Sequence, residues 1–82
     1  MYIEFPLAKD HTVRQKAIPQ LHAEIRVWAK THNIDYSTIT VNHSSERNVE
    51  QIYLRSDRAY ELFCISWCPH SPDFRDYRLR KD

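Results

Sequence analysis

The 82-residue chain contains no glycine, where ordinary usage of about 7% would supply roughly six. Glycine serves wherever the backbone takes a left-handed conformation or approaches a ligand so closely that a Cβ would obstruct it. Its absence excludes P-loops, dinucleotide-binding turns, the nucleophile elbow and the glycine-dependent RNA-binding signatures. Turns must instead rely on Asn, Asp, Ser and Pro, and the NHSSERN run at 42–48 has that composition. Long apolar runs are also lacking: nowhere do about 20 apolar residues accumulate, as a membrane span requires. Met1 is followed directly by YIEFPL, without the basic segment and apolar run of a signal peptide. These absences lead to the expectation of a soluble, cytoplasmic protein with no membrane partner.

Nor is there an excess of one charge. Twelve basic and eleven acidic residues give a net charge of +1, which is neither the surplus of a non-specific nucleic-acid binder nor that of an acidic mimic. Only two cysteines are present, and in a cytosolic chain they are expected as reduced thiols.

What is present describes a folded domain. The chain is 41% hydrophobic and 28% charged, with two tryptophans, five tyrosines and three phenylalanines, bulk that a disordered chain would lack. A chain this short buries only about 60% of its unfolded surface, enough for one core. Residues 2–7 alternate, with Ile3, Phe5 and Leu7 on one face and Tyr2, Glu4 and Pro6 on the other, so they read as a half-buried strand. Pro6 has no ladder donor, which places it at an edge or an end. From Val13 to His32, Ala17, Ile18, Leu21, Ile25 and Trp28 share about 100° of a helical wheel. Asp10 or Thr12 is positioned to cap that helix. Pro19 falls inside it, so either the helix bends there or a first short turn ends and Pro19 opens the main helix.

Residues 36–41 and 49–54 are rich in β-branched types and read as an antiparallel hairpin around NHSSERN. Residues 56–67 fit a helix capped by Ser56, although Phe63, Ile65 and Trp67 also alternate as in a strand. The expectation is an α+β domain: a small two-layer fold in β-α-β-β-α order with an antiparallel sheet of three or four strands and one long helix packed on it, a ferredoxin-like variant included. That single domain is expected over 1–68, and CPHSPDFRDYRLRKD leads to the expectation of a charged, loosely held tail over 69–82.

Candidate chemistry is thin. Cys64, Cys68 and His70 could supply three of the four ligands of a zinc site, but the usual second ligand pair at a recognised spacing is missing. Cys64 therefore reads as a small core residue and Cys68 as lying near its element's end. Of the histidines His11, His22, His32, His43 and His70, none stands in a catalytic or metal-binding pairing, and His32 suits a helix C-terminus. Ser44 and Ser45 beside His43 read as turn residues. No catalytic residue, metal site or cofactor is expected. Arg75, Tyr77, Arg78 and Arg80 combine charge with stacking surface of the kind that grips single-stranded nucleic acid or acidic protein surfaces, although Asp73, Asp76 and Asp82 nearly cancel that charge. With Tyr53 and Arg55 they form the expected partner-binding set.

The stretch QIYLRSDRAYELFCISW, in which a strand meets Ser-Asp, then Ala, a Leu-Phe pair and a closing Trp, resembles a pattern in small tailed-phage accessory proteins. EIRVWAKTHNID, a helix ending before a strand, is similar to their middle part. Cys68 and the charged end depart from the usual finish soon after the Trp. The resemblance implies a viral early protein acting in the cytoplasm of a bacteriophage's host, with no catalytic residues to carry over. Together with the missing catalytic constellation, it gives the expected function: a binding protein that inhibits or redirects a host protein. Nucleic-acid binding through the Arg/Tyr-rich tail and sheet face is the alternative, and the oligomeric state is left open.

Overall fold

A computed structural model describes residues 1–81. Strand β1 (Tyr2–Pro6) leads to helix α1 (His11–Thr31), β2 (Thr40–Ser44), β3 (Val49–Tyr53), helix α2 (Asp57–Ser66) and β4 (Arg78–Arg80), with 3₁₀ turns at Tyr36–Thr38 and Pro72–Phe74. The sheet order is β2-β3-β1-β4 and every pair is antiparallel. This is the α+β class expected, and two split β-α-β units give it the ferredoxin-like form. No helix among the described residues is long and apolar enough to cross a membrane.

Local chemistry accounts for each boundary. The Asp10 side chain accepts from the Val13 amide at 3.0 Å and starts α1, which continues through Pro19 as one helix. Its inner stripe, Leu21, Ile25, Trp28 and Ala29, is buried, and each such large apolar side chain contributes about 1.5–3 kcal/mol. Ser56 caps α2 through the Ala59 amide, with Asp57 in the first turn. The cap and the helical spacing together outweigh the strand-like alternation of Phe63, Ile65 and Trp67.

Two boundaries differ from the sequence expectation. Residues 36–38 form a 3₁₀ turn because the Asp35 side chain accepts from the Ser37 amide at 3.0 Å, closing an Asx turn before the strand begins. Strand β2 therefore runs from Thr40 to Ser44 and takes in residues expected in the hairpin turn, which shrinks to 45–48. Asn48 ends that turn with φ of 56°. Its side-chain amide donates to the Leu7 and Ala8 carbonyls, while its oxygen accepts from Arg14.

The larger correction concerns residues 69–81, which are not a loose tail. Strand β4 pairs with β1 in the register Tyr2–Arg80, Ile3–Leu79 and Glu4–Arg78. Phe74 is buried in the core, and its carbonyl accepts from the Trp67 indole at 2.8 Å. Tyr77 packs on Phe5 and Phe63. Apolar burial of these two rings outweighs the charge of the residues between them.

Both helices cover one face of the sheet, where Ile3, Phe5 and Ile52 are buried with Leu21, Ile25, Tyr60 and Phe63. Phe63 stacks on Trp67 at 4.7 Å and meets Trp28, Tyr77 and Phe5 edge-on. Among the described residues nothing covers the other face.

Candidate functional site: the open sheet face

Strand alternation fixes which side chains reach the open face. Ile3 and Phe5 point to the helices, so Tyr2, Glu4 and Pro6 point away. The registers carry that parity across the sheet. One row reads Thr40, Tyr53, Tyr2, Arg80, and the next reads Asn42, Gln51, Glu4, Arg78. Tyr2 and Tyr53 stand side by side on the two central strands, ring centroids 5.3 Å apart and planes tilted by 36°.

Beneath this pair lies Glu4, only 3% exposed. A buried carboxylate is costly unless paired, and two arginines answer it: Arg47 Nη1 at 3.0 Å from Oε1 and Arg80 Nε at 3.5 Å from Oε2. Arg47 also reaches the Tyr2 hydroxyl at 3.4 Å. Oε1 nonetheless accepts no hydrogen bond of good geometry. The Arg47 contact is thus a Coulombic pairing, which depends little on angle, and the guanidinium keeps donors for another acceptor. Glu4 holds two cations beside the tyrosine pair.

Of the residues expected to contact a partner, the structure brings Tyr53, Arg78 and Arg80 onto this face. Arg55 and Arg75 are exposed in loops outside the strand rows. Tyr77 turns into the aromatic core. Burial, then the neighbouring Cys64 thiol, pushes its phenol above the ordinary tyrosine range. Tyr2, Glu4, Arg47, Asn42 and Gln51 were missed as members of the site. The alternation of residues 2–6 already put Tyr2 and Glu4 on the outer face, but the adjacency of β1 and β3 is a long-range fact that no local pattern carries.

A second buried carboxylate lies on the opposite side of the sheet. Glu50, 1% exposed, is held between His43 Nδ1 at 2.6 Å and His22 Nε2 at 3.0 Å. The two imidazoles are partly exposed and close this carboxylate off from water. Among the described residues no hydroxyl or thiol is hydrogen-bonded to either ring. Ser44, adjacent to His43 in sequence, accepts from the Arg47 amide in the turn. The arrangement therefore orients two imidazoles without presenting a nucleophile.

Cys64 and Cys68 are free and exposed, so Cys64 is not the small core residue expected. The groove beside α2 and the desolvated Tyr77 phenol account for its position at the margin of the core. Cys68 and His70 line a cavity of about 200 Å³ next to Trp28 and Glu24. The Glu24 carboxylate is occupied there by the backbone amides of His70 and Ser71. Among the described residues no cluster of three His, Cys, Asp or Glu side chains is placed to hold a metal ion. The chain matches no protein-family model, no curated protein and no solved structure.

Proposed function

We propose that the protein is a binding protein whose open sheet face takes a short stretch of single-stranded nucleic acid. The observation that carries this reading is the Tyr2–Tyr53 pair on the central strands of an uncovered four-stranded sheet, with arginines beside it. Bases stack on aromatic rings whatever their sequence, each stacking contact being worth about 1–3 kcal/mol. Unstacked bases laid across a four-stranded sheet are one established mode of RNA recognition. Arg47, Arg78 and Arg80 supply the charge for the phosphates, and Asn42 and Gln51 supply amides in the row next to the tyrosines. Glu4 is the one acid among the open-face strand positions, and its charge is spent on Arg47 and Arg80.

Fluorescence anisotropy with end-labelled oligothymidylate and oligouridylate of about twelve nucleotides tests the proposal. Loss of one stacking ring in Tyr53→Ala should weaken binding by about 5- to 150-fold. With up to three arginines on phosphates, log affinity should fall with log salt at a slope of about −2, at roughly −0.7 per neutralised phosphate. Equal affinity for Tyr53→Ala and the parent chain would refute the proposal.

Contact with a host protein is a second reading, supported by a different observation. Ile65 and Leu79 are 85% and 44% exposed at the β4 edge, away from the tyrosine pair. A phage-type source fits that reading through the sequence resemblance alone.

A further inference from the structure

Strand β4 ends the sheet, with β1 as its neighbour on one side. Backbone N–H and C=O groups alternate in direction along a strand, so part of this strand's set faces outward as a template for pairing. Alongside, on the helix side, a groove of about 400 Å³ runs between β4 and α2. Cys64, Ile65 and Leu79 line it together with Asp57 and Glu61 of α2. Single exposed apolar residues are normal on a protein surface. Two that share one groove beside an unpaired strand edge form a place where a side chain can be buried.

We propose that this edge takes an extended segment of a partner protein as an added strand, in which acidic residues alternate with apolar ones. The inference goes beyond the nucleic-acid reading and does not rest on it. Arg78 and Arg80 point to the open face while Leu79 points to the groove, and an added strand has the same period of two. Its groove-side residue lies against Ile65 and Leu79, and its two flanking residues lie directly across from Arg78 and Arg80. Opposite charges facing each other across neighbouring strands are favourable and like charges are not. That rule selects the occupant: a second copy pairing β4 with β4 would set arginine against arginine, whereas an acidic segment is matched. Asp57 and Glu61 fix the parity, because they repel an acid on the groove side and leave that side to apolar residues. Strand addition of this kind draws affinity from main-chain hydrogen bonds and specificity from alternate side chains.

The test uses the full chain and two end-capped, fluorescein-labelled octapeptides, one alternating glutamate with valine and the other lysine with valine. Fluorescence polarisation should show the glutamate peptide binding at least about tenfold more tightly, because reversing the charge changes two facing pairs from attraction to repulsion. Ile65→Asp, at an exposed position, should weaken it about fivefold or more while the chain stays folded by circular dichroism; Arg78→Glu should also weaken it, with a lower Tm because it sets a second glutamate across from Glu4. Tyr53→Ala, which removes half of the stacking pair, should leave peptide binding as it was. Equal binding of the two peptides, an unchanged affinity in Ile65→Asp, or no glutamate-peptide binding by about 1 mM would overturn the proposal. Loss of peptide binding in Tyr53→Ala would also overturn it, by moving the peptide to the open face. The nucleic-acid reading stands or falls separately, on oligonucleotide binding by Tyr53→Ala.

Discussion

Phe74 lies in the segment whose charge and prolines suggest a solvated tail, yet it is only 4% exposed. Replacing it with alanine should cost about 3–5 kcal/mol, the usual range for a phenylalanine removed from a core. The carbonyl of residue 74 stays in place, so the Trp67 indole keeps its acceptor and the loss is one of packing. At about 0.05–0.15 kcal/mol per residue, a chain of this length has a total stability of roughly 4–12 kcal/mol. Phe74→Ala therefore removes a large share of it and should lower Tm by at least about 12 °C. Cutting the chain after His70 removes more. Phe74, Tyr77 and the β1–β4 pairing all go, and the Trp67 N–H loses the Phe74 carbonyl as its acceptor. The truncated chain should be largely unfolded at 25 °C. Urea unfolding followed by tryptophan fluorescence and far-ultraviolet circular dichroism measures both effects, since the Trp67 indole is bonded to the carbonyl of residue 74. A Phe74→Ala Tm within about 3 °C of the parent would refute the argument that this segment completes the core.

Two further outcomes follow from the buried polar groups. Removing either His22 or His43 leaves one oxygen of the buried Glu50 carboxylate unpaired, so each alanine variant should lose about 1–3 kcal/mol. The double variant should lose more than the sum, because the charge is then wholly uncompensated, and strict additivity in a urea double-mutant cycle would show that the two rings act independently. Ultraviolet titration should find the Tyr77 phenol ionising above the ordinary range, and Tyr77→Phe should remove that component. Because the fold favours the neutral phenol, its contribution to stability is present below the unfolded pKa and is lost as pH rises through the folded one. A titration identical in Tyr77→Phe and the parent would show that the raised phenol belongs elsewhere.

How much was legible in the chain depended on how local each signal was. Helix α1 was readable because its cap and inner stripe repeat within single turns, and α2 because Ser56 and Asp57 mark its start. Strand β2 was displaced by one side-chain hydrogen bond, from the Ser37 amide to Asp35, which pattern alone does not price. Strand β4 escaped because its three residues, Arg78, Leu79 and Arg80, include one apolar position, and nothing nearby announces that β1 is free to pair with it. The site followed the same division. Tyr53, Arg78 and Arg80 were named from residue type, but their meeting with Tyr2 and Glu4 depends on which strands become neighbours. Tyr77 was named for the same chemistry and went to the core, since residue type does not say which way a ring turns.

Asn48 has an implication for the unfolded chain as well as the folded one. Glycine is the usual choice for a left-handed residue, yet Asn33 and Asn48 take the positive φ angles here. At Asn48 a glycine would fit the backbone but would surrender the side-chain bonds that tie the turn to the β1–α1 connection and to α1. The same economy runs through the whole sequence. A glycine-free chain samples fewer backbone states before it folds, and each glycine avoided at a compatible site is worth about 0.4–1 kcal/mol. Over the roughly six that an ordinary chain of this length would carry, the denatured ensemble is disfavoured by about 2–6 kcal/mol. That is comparable to the net stability of so small a core, so part of what holds this protein folded is flexibility it never had.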